Sequence, residues 1–599
     1  MSTTASSSAH SDFLRTAASH GSLLLLAWGI FGQVVGFGLI DTWDDYHFFL
    51  SRHEVQAWFD ATWTQRLLTP SVGYPLPIPT FLYFLVGQAP TDWVLPLAHG
   101  LNLAFHSLNI LLIYALAKRW LAHQGAAWCV AALWTAHPVM AEAVAWVTDL
   151  KIVLMGTFAL SALYAWDRYL EGASRCWGWV TAIAVLGALG NHPQALALAP
   201  VLIVQALSKQ DVNWRSLRIW APLGAALLFT AVYYPVASLG HYELVRDQTA
   251  QTTLDLSYAE HIRRIGAAFA IQLRNIANPT DLHPVYVPNK PAFDTLSTAG
   301  FVALAVVLVL TLVLWQRDRK TGWGLMLAGG FYVPVSGLSL LPRLTADTYT
   351  YMPLFGLLLA FAALLEHRVA QTPKHVRLTQ LCVGLAIVTL APMTFLQTRR
   401  WRAAAPLFEP ALEAYPASTG AMRVLSYAYY KVDENERALE ILEDGYEALR
   451  NRRAIPVTMI DLYERVGKPA KAAKTATAMI LHQQPAHDYP YRRLLHLVVK
   501  NNLPLVADAS EEARTDDAVA LALARLGSQL DASFLLRLTE YLAIQGAPEL
   551  AGQSFGMATS RSGLDCQWWE HALKLGKRYQ LQTSQAPPET CRSDRAGVE

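Results

Sequence analysis

Long apolar runs alternate with short polar segments over the first two thirds of the chain. A helix that crosses a bilayer needs about 20 apolar residues, and an interior helix of a bundle needs fewer. The pattern therefore predicts eleven membrane-spanning helices. The predicted spans are residues 22–40, 94–117, 125–141, 151–167, 177–190, 193–208, 218–239, 297–315, 322–341, 350–366 and 378–396.

After residue 397 the chain becomes polar but keeps helical periodicity. Residues 431–438 align with residues 465–472 at an offset of 34 residues, which is the period of tetratricopeptide repeats. Ala438 and Ala472 hold the same place in both copies, and small residues there allow a close helix crossing. A generic array of helical hairpins is the alternative. The sequence thus predicts an all-α chain, with a polytopic membrane domain over 1–397 and a soluble, tetratricopeptide-like domain over 398–599.

Composition supports a membrane domain. Only 16% of the residues are charged and 53% are hydrophobic, whereas soluble proteins carry about 25% charged residues. The net charge of +2 gives no general attraction for nucleic acid, so we expect no nucleic-acid partner.

Lysine and arginine in the short loops predict the orientation, because cytoplasmic loops are enriched in both. With the N-terminus in the cytoplasm, all five inner loops are basic, and the domain after residue 397 lies outside. In a bacterium this corresponds to an inner-membrane protein with a periplasmic repeat domain. The basic residues of these loops are Lys118, Arg119, Arg168, Arg175, Lys209, Arg215, Arg218, Arg317, Arg319, Lys320, Arg368, Lys374 and Arg377.

Unusual polar residues gather on the opposite, outer face. Asp44 and Asp45 come directly after the first span, where adjacent carboxylates are costly to desolvate unless they serve chemistry or bind a cation. Such sorting to one side predicts a single outward-facing site. The further candidate residues on this face are His137, Glu142, Lys151, His192, Arg343, Asp347, Tyr349 and Tyr351.

Several of these segments together resemble a known family. They are the Trp43-Asp44-Asp45 exit of the first span, the segment 137–151, the helix with His99, Asn102 and His106, and the segment 346–353. The chain resembles the GT-C glycosyltransferases that carry tetratricopeptide repeats, namely the transmembrane-and-tetratricopeptide-repeat protein O-mannosyltransferases and their bacterial relatives. Two positions depart from the pattern. Thr348 replaces an arginine, for which Arg343 is the expected substitute, and His192-Pro193 replaces Lys-Glu.

The resemblance implies protein O-glycosylation: transfer of a sugar from a polyprenyl-phosphate donor to a hydroxyl of a protein acceptor on the outer face. One of Asp44 and Asp45 is expected to act as the base. The other is expected to orient it or to hold a divalent cation, Mg²⁺ or Mn²⁺. The remaining outer-face candidates are expected to bind the donor and its phosphate. The partners are then the bilayer, the lipid-linked donor and an acceptor protein held by the repeats.

Two other readings stay open. The first is a non-enzymatic, membrane-anchored repeat scaffold for envelope or pilus assembly. In the second, the chain transfers a glycan to a surface polysaccharide or lipid.

Cys566 and Cys591 form either a disulfide in an oxidising compartment or two free thiols. A transporter is disfavoured, because transporters place charged groups near the midplane and on both faces.

Overall fold

The computed structural model contains only helices among the residues that it describes, and no strand. This confirms the predicted all-α class. The predicted span 218–239, Arg215, Arg218 and the segment up to residue 256 lie wholly or largely outside the described residues. The described residues are 3–41, 43–50, 52–68, 75–209, 221–225, 227–232, 257–338, 341, 343–369, 373–451, 455–485, 488–505, 515–561, 565–588 and 591.

The chain divides into two compact units, Met1–Val424 and Leu425–Glu599. The predicted boundary at 397/398 concerns the end of the membrane domain, not the limit of a compact unit, and it stays a prediction. The helices up to the end of the first unit are α1 Thr3–Phe31, α2 Arg52–Asp60, α3 Trp63–Leu68, α4 Pro77–Val86, α5 Thr91–Trp120, α6 Gln124–Ala136, α7 Met140–Ala145, α8 Leu150–Leu170, α9 Cys176–Leu189, α10 Leu198–Ser208, α11 Tyr258–Ala277, α12 Lys290–Arg317, α13 Arg319–Tyr332, α14 Tyr351–Val369, α15 Pro373–Arg400, α16 Ala404–Ala414 and α17 Thr419–Lys431.

Six helical segments of the described chain are long and apolar enough to cross a bilayer. They support a membrane protein, while the count of eleven spans stays a prediction. Some predicted spans form shorter helices: α6 ends at Ala136, because Pro138 disfavours helical backbone at His137, which is extended. The six segments are Thr16–Gly36, Thr91–Trp120, Val147–Leu170, Lys290–Arg317, Asp347–Glu366 and Arg377–Arg400.

The C-terminal ends of several apolar helices meet at one end of the first unit. Asp167 near the end of α8 is buried and forms ion pairs with Arg119 of α5 and, at 2.6 Å, with Lys209 after α10. The carboxylate of Glu366 in α14 accepts the backbone N–H groups of residues 122 and 123 at 2.9 Å each. Arg119, Asp167 and Lys209, which belong to predicted cytoplasmic loops or their borders, therefore lie together. The side of the membrane that this end faces stays a prediction.

The opposite end of the same helices is closed by short helical turns. Tyr83 of α4 donates to the carbonyl of Val147 at 3.2 Å, and Asn102 of α5 donates to the carbonyl of Trp146 at 2.9 Å. Both bonds hold the segment that leads from α7 into α8. The short turns are the 3₁₀ segments Gly32–Gly36, Val147–Asp149, Pro193–Ala197, Val333–Val335 and Asp347–Thr350 and the π-helical turn Tyr46–Leu50.

The second unit is a series of helical hairpins with a recurring turn. Asp433, Gly467, Asn502 and Gly546 each have a positive φ directly after a helix. At each turn the next N–H bonds the carbonyl five residues earlier, which is the Schellman ending of a helix. The tetratricopeptide assignment stays a prediction. The helices after α17 are α18 Asn435–Asp444, α19 Tyr446–Asn451, α20 Thr458–Arg465, α21 Pro469–Ala478, α22 Tyr489–Asn501, α23 Thr515–Leu526, α24 Ala532–Ile544, α25 Pro548–Thr559 and α26 Cys566–Tyr579, with a π-helical turn at Met479–Gln483.

Cys566 and Cys591 form a disulfide, with 5.1 Å between their Cα atoms. The bond fastens the segment after α26 to the beginning of that helix. Of the two alternatives left by the sequence, the structure therefore has the paired one. Cys129, Cys176 and Cys382 are free thiols.

Candidate active site

Asp45 is buried and fully engaged by donors from its own loop and from the α7–α8 connection. Its carboxylate accepts the backbone N–H of Ile40 at 2.7 Å, the indole N–H of Trp146 at 2.8 Å and the hydroxyl of Thr148 at 2.8 Å. Burial raises the pKa of Asp45 to about 7, against the opposing effect of these hydrogen bonds. Asp45 thus fixes the loop that carries Asp44 onto the start of α8.

Asp44 is the accessible member of the pair. Its side chain is 29% exposed, and its Oδ2 atom lies 2.7 Å from Nζ of Lys151, whose side chain is only 7% exposed. The sequence did not distinguish the two carboxylates. The structure separates them, because one is a buried hydrogen-bond acceptor and the other faces a cation at the surface of the site.

Lys151 lies in the first turn of α8, and its contacts include two carboxylates and an indole. Besides Asp44, its Nζ lies 3.5 Å from Oδ1 of the buried Asp149 and 4.7 Å from the centre of the Trp146 ring. Neither oxygen of Asp149 accepts a hydrogen bond from the described residues. An uncompensated buried carboxylate is costly, and the charges of Lys151 and Arg343 offset that of Asp149.

Arg343 forms the second ion pair of this end. Its Nη1 lies 2.5 Å from Oε1 of the buried Glu142 and donates to the carbonyl of Pro284 at 3.1 Å. The second oxygen of Glu142 accepts the backbone N–H of Thr348 at 3.1 Å. Burial acts to lower the pKa of Arg343, but Glu142 and neighbouring groups outweigh it and raise the pKa above its usual value. Arg343 is therefore a permanent cation held next to Thr348.

An aromatic cluster joins the two ion pairs. The ring centres of Trp43 and Trp146 lie 5.0 Å apart, and Trp401 lies 6.0 Å from Trp146. The Arg343 guanidinium lies 5.4 Å from the ring centre of Trp43 and 5.5 Å from that of Trp146. Trp146 also contacts Lys151, so both cations lie within cation–π distance of one indole.

Asp347 lies in a neighbouring hydrogen-bonded group. Its Oδ1 accepts the hydroxyl of Tyr286 at 2.7 Å and the side-chain amide of Asn275 at 2.8 Å. Burial, and then the charge of Asp347, raise the pKa of Tyr286 well above its usual value, so Tyr286 donates as a neutral phenol. These contacts place Asp347 as an anchor for the segment after α11.

Tyr349 and Tyr351 are both buried and lie in different surroundings. Tyr349 packs in an apolar cluster with Val335 and Ala346. The hydroxyl of Tyr351 lies 2.9 Å from Nδ1 of His106 and 2.9 Å from the amide of Asn109. His106 is thus an internal hydrogen-bond partner, and Tyr351 belongs to a network between α5 and α14.

The two histidine candidates make hydrogen bonds to backbone. Nε2 of His137 lies 3.0 Å from the carbonyl of Ile276, which ties the end of α6 to α11. Nδ1 of His192 accepts the backbone N–H of Gln194 at 3.2 Å and caps the 3₁₀ turn Pro193–Ala197. Both are placed to fix turns, and their predicted contact with the donor stays a prediction.

The donor set of Asp44 and Asp45 does not fit a divalent cation. Three N–H and O–H donors occupy the carboxylate of Asp45, and the ammonium of Lys151 occupies that of Asp44. Over the described ranges, no group of three or more His, Cys, Asp or Glu side chains is arranged to hold a metal ion. The expected divalent cation therefore has no part in the reaction proposed below.

Sequence reasoning assigned no role to four residues that organise this site. Trp146 and Asp149 lie inside the segment 137–151, and Trp43 precedes the Asp pair, but only their positions in the motif marked them. Tyr286 had no signal, because it meets Asp347 from 61 residues away. Comparisons with protein-family models, with curated proteins and with solved structures find no match for the chain.

Proposed function

We propose that the protein transfers a sugar from a polyprenyl-phosphate carrier to a hydroxyl group of a protein acceptor at the outer face of the membrane. The observation that carries the proposal is the contact of Asp44 with Lys151, with Arg343 near the same Trp146 ring. A partly exposed carboxylate and two cations are thereby grouped at one end of an apolar bundle. The resemblance of segments 43–45, 137–151 and 346–353 to membrane glycosyltransferases supports the same reaction.

The proposed chemistry assigns one task to each charged group. Asp44 accepts the proton of the acceptor hydroxyl, while the oxygen of that hydroxyl forms a bond to the anomeric carbon. The bond between that carbon and the phosphate oxygen breaks, and the electron pair leaves with the phosphate. Lys151 and Arg343 stabilise the negative charge that develops on the phosphate. No metal is required for this balance of atoms and charges.

Asp45 acts in this scheme as a positioning residue. Its three hydrogen bonds join residue 40 to residues 146 and 148, so the backbone that carries Asp44 is fixed against the helix that carries Lys151. A catalytic group has to be held within a fraction of an ångström to be effective. The buried Asp45 carboxylate supplies that constraint.

The location follows from the same proposal. A polyprenyl-phosphate sugar lies in the bilayer and presents its sugar at the membrane surface. The site therefore belongs at the outer face, with the second unit in the periplasm of a bacterial cell. There the helical hairpins would hold the acceptor protein.

The test combines a donor assay with a cellular measurement. Purified full-length protein is incubated with a panel of polyprenyl-phosphate sugars and an envelope-protein extract, and Asp44→Asn is the matched inactive variant. Intact-mass spectra of envelope proteins from cells with and without the gene should differ by whole sugar masses. Unchanged spectra, together with no donor consumed across the panel, would refute the proposal.

The hairpin series of the second unit favours one other candidate function, a membrane-anchored scaffold for envelope or pilus assembly. Stacked helical hairpins are a common binding surface for proteins. The two candidates differ in one variant. If the protein is a scaffold, a deletion strain that expresses Asp44→Asn regains the wild-type phenotype. If the protein is a glycosyltransferase, the same strain keeps the deletion phenotype.

A further inference from the structure

The Lys151 ammonium is shared between two carboxylates of different accessibility. It lies 2.7 Å from Oδ2 of the partly exposed Asp44 and 3.5 Å from Oδ1 of the buried Asp149. It also contacts the face of Trp146. An anion that reaches the site from solvent or lipid meets this cation on the side of Asp44, because Asp149 is buried.

The same contact engages the base that the reaction needs. The Oδ2 lone pair of Asp44 is directed at an ammonium group instead of an acceptor hydroxyl. An acceptor hydroxyl and the Lys151 ammonium would compete for this oxygen. Asp44 is therefore masked as long as Lys151 remains on it.

We propose that the phosphate group of the lipid donor takes Lys151 from Asp44, so that donor binding unmasks the base. The inference rests on the proposed function and adds an order of events to it: the donor binds first, and only then can an acceptor hydroxyl be deprotonated. Asp149 keeps the ammonium at the site through the exchange, because its buried charge has Lys151 as counter-ion. Water that enters without donor meets a masked carboxylate.

The proposed exchange of Asp44 for phosphate as the partner of Lys151 has a consequence that can be measured without any sugar transfer. In the wild type, a phosphate anion has to compete with Asp44 for Lys151. Removing the Asp44 charge should therefore strengthen phosphate binding, and the gain should depend on Lys151. A simple loss of negative charge at the surface would instead strengthen binding whether or not Lys151 is present.

The experiment measures the Kd of polyprenyl phosphate, without sugar, for full-length protein in nanodiscs. We expect Asp44→Asn to bind roughly fivefold more tightly than wild type, and Lys151→Met to bind at least tenfold more weakly. In the Lys151→Met background, Asp44→Asn should change the Kd by less than about twofold. The exposed Asp92 at the start of α5 provides the control, and Asp92→Asn should leave the Kd unchanged.

Inorganic phosphate and phosphatidylglycerol nanodiscs distinguish the source of the anion, because a site for the lipid donor prefers polyprenyl phosphate to both. If Lys151→Met does not fold because Asp149 loses its counter-ion, Lys151→Met combined with Asp149→Asn removes the buried pair together and serves as the background. A wild type that binds no polyprenyl phosphate overturns the proposed function. Binding that Asp44→Asn does not strengthen, or strengthens equally without Lys151, overturns the exchange alone.

Discussion

The indole N–H of Trp146 lies 2.8 Å from a carboxylate oxygen of Asp45. This hydrogen bond joins the segment that carries Asp44 to the segment that carries Lys151. A residue of the loop after α1 is thereby tied to the turn before α8, 101 residues away. The bond explains why two adjacent aspartates have different environments. It also leads to distinct predictions for each of them.

Asp44→Asn should abolish sugar transfer and leave the fold intact. The side chain is partly exposed and its main partner is Lys151, so the amide costs little stability. We expect at least a 10²-fold loss of kcat, the usual contribution of a general base. The measurement is single-turnover transfer from a polyprenyl-phosphate sugar, with thermal unfolding as the control for folding. A variant with wild-type turnover would rule out Asp44 as the base.

Asp45→Asn should lower stability. An amide keeps only one acceptor atom where the carboxylate accepts three hydrogen bonds, and its NH₂ group then faces donors. We expect a loss of about 2–4 kcal/mol of unfolding free energy. Thermal unfolding in detergent measures the change. An unaltered Tm would show that the three hydrogen bonds do not stabilise the protein.

Asp45 also predicts a dependence of stability on pH. Its pKa is about 7 in the folded chain, against an ordinary value of 3.8 for an aspartate. Between these two values the folded state binds more protons than the unfolded state, so this group's contribution to stability falls as the pH rises from about 4 to 7. The steepest slope is roughly 1.4 kcal/mol per pH unit. The difference in Tm between wild type and Asp45→Asn should shrink with rising pH over this window, and a constant difference would contradict the assignment.

The Glu142–Arg343 pair should show strong coupling. Either partner alone, as Glu142→Gln or Arg343→Met, leaves a buried group without its partner and should cost about 3–5 kcal/mol. The double variant should cost clearly less than the sum of the two. A double-mutant cycle on unfolding free energy measures the coupling. Additive effects would mean that the two groups do not interact in the folded protein.

Gly156 should tolerate no side chain. A Cβ atom there would lie 2.7 Å from Cε1 of Tyr351, which is itself held by His106 and Asn109. We expect Gly156→Ala to destabilise the protein by about 1–3 kcal/mol. Gly100→Ala on α5 is the matched control, because nothing lies within 4 Å of its added Cβ. Equal Tm values for the two variants would contradict the packing of α8 against α14.

The disulfide provides a test of stability and topology. It closes a loop of 25 residues, so Cys566→Ser should lower the stability of the second unit by about 3 kcal/mol. In intact cells Cys566 and Cys591 should react with a maleimide only after reduction. The exposed Cys176 is the control: at a predicted cytoplasmic turn, it should react without reduction and only with a membrane-permeant reagent. A free Cys566 thiol in untreated cells would place the second unit on the reducing side.

The sequence by itself determined the helical class and indicated a membrane protein. The predictions rest on local sequence patterns: runs of apolar residues, a 34-residue repeat and short polar motifs at the ends of predicted spans. Ala438 and Ala472, chosen as small residues at equivalent places, are both buried in the second unit. The motif 137–151 indicated Glu142 and Lys151, and both have charged partners at the site.

Only the tertiary structure decided which residues meet. Asp44 and Asp45 are neighbours with the same chemistry, and nothing local distinguishes them. Their difference comes from Trp146 and Thr148 on one side and from Lys151 on the other, all more than 100 residues away. The same holds for Arg343 and Glu142, which are 201 residues apart. Burial and hydrogen bonding depend on long-range packing, so the division of roles within the Asp44–Asp45 pair arises only when the loop after α1 meets the start of α8.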